Sequence, residues 1–263
     1  MTSGQKICAC TAMQRDKTET PAADTCAVIV AGGSGERFGD PRGKQFVDLA
    51  GMPLICWSVL ALDRAASVSS IVVVAPRCRE DEMCETIADY LTLIRPLAIA
   101  PSGMTRQDSV RNGLACVPDG CTLVAVHDGA RPLIRPEEVD AVCACVRADR
   151  RLAGAIAATP STDTLKIAEG RLIVSTPDRS YYWSAQTPQV FRLPALIAAH
   201  DEAVRTGYLG TDDASLVEHA GGRVALVETG RDNIKVTLPE DLVIAEALLE
   251  RRLIDEGCGF GEG

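Results

Sequence analysis

The stretch Cys26-Ala-Val-Ile-Val30, followed by Ala31-Gly-Gly-Ser-Gly-Glu-Arg-Phe38, decides the fold of this chain. A short apolar run that ends in a glycine-rich turn predicts a buried strand entering a loop. Similar apolar runs recur at 71–75, 97–100, 123–126, 154–157 and 224–227, and helical patterns occupy 54–64, 79–91, 106–117, 136–147, 194–206, 213–220 and 239–251. This alternation predicts an α/β fold with a Rossmann-like, doubly wound, mainly parallel sheet, which binds ligands beyond the carboxyl ends of its strands.

The alternation breaks between residues 162 and 191, where a strand-turn-strand pattern predicts a β-hairpin arm, over about 160–191, that projects from the sheet. We expect one domain over residues 25–252, which contains this arm. The threonine-rich residues 1–24 are interpreted as a disordered tail, and residues 253–263 as a flexible C-terminus.

The composition excludes several functional classes. The 263 residues carry a net charge of -9, which argues against nucleic-acid binding because a phosphate backbone would be repelled. No apolar run is long enough to span a membrane and no secretory leader is evident. The 11 cysteines include no pair at the two-residue spacing of zinc or thioredoxin sites. We therefore expect a cytoplasmic protein whose cysteines are reduced and mostly buried.

The glycine loop after the first strand is suited to binding phosphates, because glycine lets backbone N–H groups approach phosphate oxygens closely. A dinucleotide fingerprint would require glycine where Phe38 stands, and a P-loop would require serine or threonine where Gln45 stands. Arg37 and Lys44 follow the loop and are placed to meet the phosphates. Phosphoryl transfer needs such positive charge more than covalent chemistry, so the pattern favours a nucleotidyltransferase.

An acidic residue at the end of another strand completes this prediction. Asp128 ends the run Val124-Ala-Val-His-Asp128 and would lie at the ligand edge of the sheet, where a carboxylate can hold Mg²⁺ against phosphates. Asp232 is a second predicted magnesium ligand. His127 is interpreted as a packing or hydrogen-bonding residue, because no nucleophile elbow accompanies it.

Three further segments carry candidate residues. Gly103, Arg106 and Ser109 lie in a loop that opens a helix, whose N-terminal amides could bind a nucleotide. Lys235 is delivered by a short extended segment before the last helix, and Arg179 lies in the predicted arm. Taken alone, the charges at 179 and 235 are more typical of solvated surface residues than of ligands.

In order and spacing, these segments resemble the 2-C-methyl-D-erythritol 4-phosphate cytidylyltransferases from Cys26 to about Arg252. The matching strings are the glycine loop with Arg37 and Lys44-Gln45, Arg106-Gln-Asp-Ser109-Val, His127-Asp-Gly-Ala-Arg131-Pro, Asp163-Thr-Leu-Lys166, Thr187-Pro-Gln, Thr211-Asp-Asp-Ala-Ser215 and Asp232-Asn-Ile-Lys235-Val-Thr. The chain departs from the family pattern at Gly43, where proline usually precedes the lysine, at Gly33 and Gly129, where alanine is common, and at Met104, which is often acidic. We expect the lysine loop to be looser and the chemistry to survive.

The resemblance implies a role for each candidate residue. Arg37 and Lys44 would stabilise the α-phosphorus, and Arg179 and Lys235 would position the substrate phosphate. CTP would be held by Ala31, Gly32, Gly33, Gly35, Gly103, Arg106, Ser109 and Gly129, and the sugar alcohol would lie near Thr164, Thr187 and Arg131. The family is a homodimer with crossed arms, so Arg179 would serve the partner's site. The sequence also admits three alternatives: a ribitol-5-phosphate cytidylyltransferase, a nicotinamide-dependent oxidoreductase and a non-catalytic nucleotide-binding regulator, for which Arg37, Lys44 and Asp128 together have no obvious use.

Overall fold

A seven-stranded sheet forms the centre of the computed structural model, which describes residues 23–33, 38–40 and 42–255. The strands of these residues are β1 (Thr25–Val30), β2 (Asp48–Leu49), β3 (Met52–Pro53), β4 (Val68–Ala75), β5 (Leu97–Pro101), β6 (Leu123–Asp128), β7 (Gly154–Pro160), β8 (Ile167–Glu169), β9 (Leu172–Ser175), β10 (Trp183–Arg192) and β11 (Val224–Glu228). The central order is β11-β7-β10-β6-β1-β4-β5, and only β10 runs antiparallel to its neighbours. The predicted α/β fold with a mainly parallel sheet is confirmed.

Helices cover both faces of this sheet. They are α1 (Leu54–Arg64), α2 (Glu80–Tyr90), α3 (Arg106–Leu114), α4 (Pro136–Ala148), α5 (Leu193–Thr206), α6 (Asp213–His219) and α7 (Pro239–Asp255), with short 3-10 turns at Lys44–Phe46 and Arg179–Tyr181. Side chains of β1 alternate between two cores: Ala27 and Ile29 pack with α1 and α4, whereas Cys26 and Val28 pack with α3 and α5. The helices on each face can therefore bury apolar side chains on a strand that is itself buried on both faces, whereas α7 packs in a separate cluster with Leu49, Leu133 and Val236.

The predicted arm is correct in its hairpin and wrong in its extent. Strands β8 and β9 pair antiparallel and are exposed, as expected for an arm. However, β10 is a central strand between β6 and β7, and it is buried from Gln186 to Phe191. The sequence concealed this strand because Gln186, Thr187 and Gln189 interrupt its apolar pattern. Burial of these polar side chains is tolerated because they form hydrogen bonds inside the site described below.

Two smaller predictions also need correction. Helix α7 continues to Asp255, so residues 253–255 are helical rather than part of a flexible end. Of the eight cysteines in the described residues, all are free but only Cys26, Cys56 and Cys143 are buried, so the expectation of mostly buried thiols is wrong there. The predicted tail lies outside the described residues except for residues 23 and 24. In the part of the chain that the structure covers, no helix has the length and apolarity to cross a membrane.

Candidate active site

The candidate residues from separate segments meet at the carboxyl edge of the sheet. Val30 of β1 pairs with Asp128 of β6, and Ala75 of β4 pairs with Pro101 of β5. The backbone that follows each strand therefore emerges at one edge. This register brings Ala31–Gly33, Ser102–Gly103 and Gly129 to one edge, where Gly32 lies against Ser102 and Gly129 against Ala31.

Glycine is required in these loops by close packing. A Cβ atom at Gly32 would collide with the Cβ of Ser102, and one at Gly103 would collide with the Cβ of Asp108. Ser109 Oγ accepts a hydrogen bond from Gly103 N at 3.0 Å and so fixes the second loop to the start of α3. Gly35 and Arg37, both predicted to bind the nucleotide, lie outside the described residues.

Asp128 is the buried anionic centre of a cavity of about 300 Å³ at this edge. Its carboxylate accepts hydrogen bonds from Lys235 Nζ at 2.7 Å and from Arg106 Nη2 at 3.4 Å, and Arg131 Nε lies 4.0 Å away. Burial alone would raise the pKa of Asp128, but the charges of Arg106 and Lys235 outweigh burial and hold the pKa well below its usual range. The carboxylate is therefore ionised at neutral pH and is surrounded by cations that can also bind phosphate.

This ionisation predicts a pH dependence of stability. Because the pKa of Asp128 is lower in the folded chain than its ordinary value of 3.8, its contribution is present above that value and is lost as the pH falls. We expect the free energy of unfolding, measured with urea, to fall between about pH 5 and pH 2 with a shallower slope in Asp128→Asn. Identical slopes in the two proteins would contradict this assignment.

Arg106 also pairs with a second buried carboxylate, that of Asp213. Its Nη1 donates to Asp213 Oδ2 at 2.7 Å, and Asp213 is fully buried beside His200. Burial would raise the pKa of Asp213, and the charge of Arg106 lowers it below its usual range. Gln189 accepts hydrogen bonds from the amides of Asp213 and Ala214 and so caps α6. Sequence reasoning did not select Asp213 or Gln189 as site residues, although both lie in quoted strings, 211–215 and 187–189.

His127 ties the end of β6, where Asp128 lies, to the loop that follows it, as its interpretation as a hydrogen-bonding residue anticipated. The carbonyl of Arg131 can only accept, so Nε2 of the neutral ring carries the proton and donates to it at 3.2 Å. Nδ1 therefore accepts from Thr187 Oγ1 at 3.0 Å, and Thr187 Oγ1 in turn accepts from the amide of Asp128 at 3.0 Å. Burial lowers the pKa of His127 to about 4, which keeps the ring neutral.

Replacing Thr187 with valine should destabilise the fold. Valine preserves the shape but leaves the amide of Asp128 and Nδ1 of His127 without partners, and a buried polar group left unpaired costs about 1–3 kcal/mol. We expect the free energy of unfolding to fall by about 2 kcal/mol or more in denaturant titrations. Thr164→Val at an exposed position is the matched control, and equal stability of the two variants would contradict the hydrogen-bond chain.

Lys44 reaches the segment that supplies Lys235. Its Nζ donates to the carbonyl of Val236 at 3.0 Å, next to Lys235, whose ammonium binds Asp128. Lys44 and Asp128 therefore contact adjacent residues of one segment, although Lys44 does not line the cavity itself. Gly43 has φ of 89°, which proline cannot adopt, so the family's usual proline is incompatible with this backbone.

Other predicted residues lie elsewhere. Asp232 accepts from Arg135 and Arg252 and lines a different cavity, so the structure separates it from Asp128 and gives no support to its prediction as a magnesium ligand. Arg179 donates to the carbonyl of Thr162 within the arm, and neither it nor the exposed Thr164 lines the Asp128 cavity of its own chain. Arg131 and Thr187 do line this cavity.

Comparisons with known proteins cover nearly all of this structure. A family model described as 2-C-methyl-D-erythritol 4-phosphate cytidylyltransferase matches residues 25–251. A relative of that name from Caldanaerobacter subterraneus subsp. tengcongensis is 40% identical over 227 residues, covering 86% of this chain and 98% of the relative. Another of that name, from Synechococcus sp., is 42% identical over 226 residues, covering 86% of this chain and 97% of the relative.

Solved structures agree with the sequence relatives. The 2-C-methyl-D-erythritol 4-phosphate cytidylyltransferase from Thermus thermophilus superposes with a TM-score of 0.67 at 31% identity, covering 84% of this chain and 97% of that one. The 4-diphosphocytidyl-2C-methyl-D-erythritol synthase from Anaerococcus prevotii gives a TM-score of 0.76 at 26% identity, covering 89% of this chain and 100% of that one. The family-model match to residues 25–251 contains the whole central sheet and every residue that lines the Asp128 cavity.

Proposed function

We propose that the Asp128 cavity is the active site of this chain, which belongs to the 2-C-methyl-D-erythritol 4-phosphate cytidylyltransferase family and is a cytidylyltransferase. There it transfers the CMP group of CTP to 2-C-methyl-D-erythritol 4-phosphate and releases pyrophosphate. The observation that carries this proposal is the ionised, buried Asp128, faced by Lys235 and Arg106 beside the glycine loop. The names of the relatives favour this acceptor over ribitol 5-phosphate and over nicotinamide chemistry.

The proposed reaction is an in-line displacement without a covalent intermediate. An oxygen of the acceptor phosphate attacks the α-phosphorus of CTP, the bond from that phosphorus to the bridging oxygen of the β-phosphate breaks, and pyrophosphate leaves with that electron pair. The protein supplies position and charge. Lys44 and Arg37 stabilise the charge at the α-phosphorus, and Lys235 holds the acceptor phosphate.

The donor set fits Mg²⁺ as part of this proposal. Mg²⁺ prefers oxygen ligands and is often held by one or two carboxylates together with substrate phosphates, and Asp128 supplies one ionised carboxylate at the ligand edge. The described residues contain no group of three or more acidic, histidine or cysteine side chains that could hold the ion alone. A magnesium ion bound to Asp128 and the triphosphate would neutralise charge on the phosphates. Lys235 and Arg106 fix the orientation of that carboxylate before the nucleotide arrives.

Pyrophosphate release tests the function directly. We expect rapid release only with CTP and 2-C-methyl-D-erythritol 4-phosphate together, and little with ATP, GTP or UTP. Ribitol 5-phosphate is the control acceptor. Equal rates with the two acceptors, or release without any acceptor, would contradict the proposal.

We also propose the homodimer with exchanged arms. The hairpin and the 3-10 turn that follows it expose apolar side chains, among them Leu172, Ile173 and Tyr181, which are 77%, 64% and 78% exposed in the single chain. Apolar surface of this kind is typical of a contact with another chain. Arg179 stands on this arm outside its own chain's cavity, which is the arrangement expected if it serves the partner. The cytoplasmic location stays a prediction from the cysteine pattern.

Mixing two inactive variants tests the exchanged arm. Arg179→Ala has a defective arm and an intact cavity, whereas Lys235→Ala has the reverse. If the arms cross, unfolding and refolding an equal mixture makes about half of the dimers mixed, and each mixed dimer has one intact site of its two. About a quarter of wild-type activity should therefore return. Recovery no greater than that of the separate variants would contradict exchange, and refolded wild type controls for losses.

A further inference from the structure

Two arginines outside the active-site cavity hold the start of the segment that carries Lys235. Asp232 Oδ2 accepts a hydrogen bond from Arg135 Nη2 at 3.0 Å and from Arg252 Nη2 at 2.8 Å. The side chain of Arg252 is 13% exposed and that of Asp232 is 25% exposed, so this is a partly buried, charge-assisted contact. Neither arginine was selected by sequence reasoning, and Asp232 was assigned to a metal.

Arg252 joins the two loops that build the active site. The same Nη2 also donates to the carbonyl of Leu133 at 2.8 Å, in the loop that follows Asp128. Its helix α7 packs Ala245 and Leu249 in one apolar cluster with Leu133 and Val236. The last helix is thus fixed to both the 129–135 loop and the 232–236 segment.

The segment between Asp232 and Val236 has little regular structure of its own and depends on such ties. Asn233 Nδ2 donates to Gln186 Oε1 and to the carbonyl of Thr187, each at 2.9 Å, and Val236 N donates to Ala130 O at 2.8 Å. Lys235 lies between these anchors with its side chain 42% exposed and Asp128 as its ion-pair partner. The position of its ammonium is therefore set by how firmly the backbone on either side is held.

We propose that Arg252, assisted by Arg135, is a positioning residue that clamps Asp232 and so places Lys235 against Asp128. The effect on catalysis rests on the proposed function of Lys235 in holding the acceptor phosphate. The contacts that Arg252 and Arg135 make with Asp232 do not depend on that function. Asp232 is in this view an anchor for the segment, which gives it a role different from the predicted metal ligand.

Steady-state kinetics of Arg252→Ala test the catalytic consequence. We expect the KM for 2-C-methyl-D-erythritol 4-phosphate to rise on the order of tenfold, the scale at which residues that orient a site's ligands act, while the KM for CTP changes by less than about twofold. Arg251→Ala is the matched control, because Arg251 is the neighbouring residue on α7, is 80% exposed and contacts Asp255 rather than Asp232. Equal changes in both KM values, or no difference from Arg251→Ala, would overturn the proposal.

Asp232→Asn provides a second route if Arg252→Ala folds poorly. It keeps both arginines and the shape of the side chain but removes its charge, and it should produce the same selective rise in the acceptor KM. In the double variant the two effects should not add, because both changes break one contact. Fully additive effects would show that the residues act separately.

Hydrogen exchange tests the clamp independently of the proposed function. The amides of Ile234 and Val236 are hydrogen-bonded, and we expect them to exchange at least several-fold faster in Arg252→Ala than in wild type or Arg251→Ala. Unchanged exchange would refute the clamp even if the enzyme is active. Faster exchange in Arg252→Ala, together with a wild-type protein that fails to transfer CMP, would instead refute the proposed function alone.

Discussion

Lys44→Ala is expected to lower turnover by roughly a hundredfold or more, the scale of losing one preorganised charge stabiliser. Lys44 follows the glycine loop, and its ammonium reaches the carbonyl of Val236, beside the Lys235–Asp128 ion pair. In the proposed reaction it faces the α-phosphorus, where negative charge develops as pyrophosphate leaves. Alanine removes that charge together with the hydrogen bond to Val236, and it leaves the buried strands of the sheet unchanged.

Single-turnover rates with CTP and the acceptor measure this loss without interference from product release. Arg42→Ala is the matched control, because Arg42 is a nearby cation whose side chain is 64% exposed and pairs with Asp40. Its rate should stay within about twofold of wild type. A Lys44→Ala enzyme with near-wild-type turnover would remove Lys44 from the mechanism.

Asp128→Asn is expected to lower turnover by roughly a hundredfold to a thousandfold. The amide has the same shape, so it can still hydrogen-bond Lys235, but it carries no charge to hold a magnesium ion or to balance Arg106 and Lys235. Cations left without a partner in a partly buried site also reorganise or attract another anion. We therefore expect Asp128→Asn to bind CTP more strongly than wild type and to transfer CMP more slowly.

A magnesium titration tests whether Asp128 binds the ion. Wild-type turnover should rise to saturation with Mg²⁺, whereas turnover of Asp128→Asn should remain low at every concentration. Asp201→Asn serves as the control, because its side chain is 66% exposed and pairs with Arg111 on the surface. Recovery of Asp128→Asn at high Mg²⁺ to the wild-type rate would exclude Asp128 as an essential ligand.

Several features were predictable because they depend on neighbours in the sequence. Val139, Val142, Cys143 and Val146 are spaced at i, i+3, i+4 and i+7 and form the buried face of α4. Asp128 could be placed at the ligand edge because a residue that ends a parallel strand must emerge there. The hairpin of β8 and β9 followed from two short strand patterns on either side of a tight turn at Gly170.

The extent of the arm could not be derived in the same way. Polar residues in a strand normally indicate an exposed edge, yet Gln186, Thr187 and Gln189 are buried in β10. Their partners, among them Asn233, His127 and Asp212, come from distant segments. Local patterns contain no information about such partners, so the strand was assigned to the arm.

By itself, the sequence determined the alternating α/β fold, the glycine loop, the candidate cations and the strand-end carboxylate, since each is encoded by spacing along a short stretch. Only the tertiary structure decided which charges meet. Lys235 pairs with Asp128, whereas Asp232 is taken by Arg135 and Arg252. The physical reason is that ion pairs and hydrogen bonds form between side chains a few ångströms apart in space, and the folded chain brings together residues more than a hundred positions apart in sequence, as it does for Lys235 and Asp128 with a separation of 107.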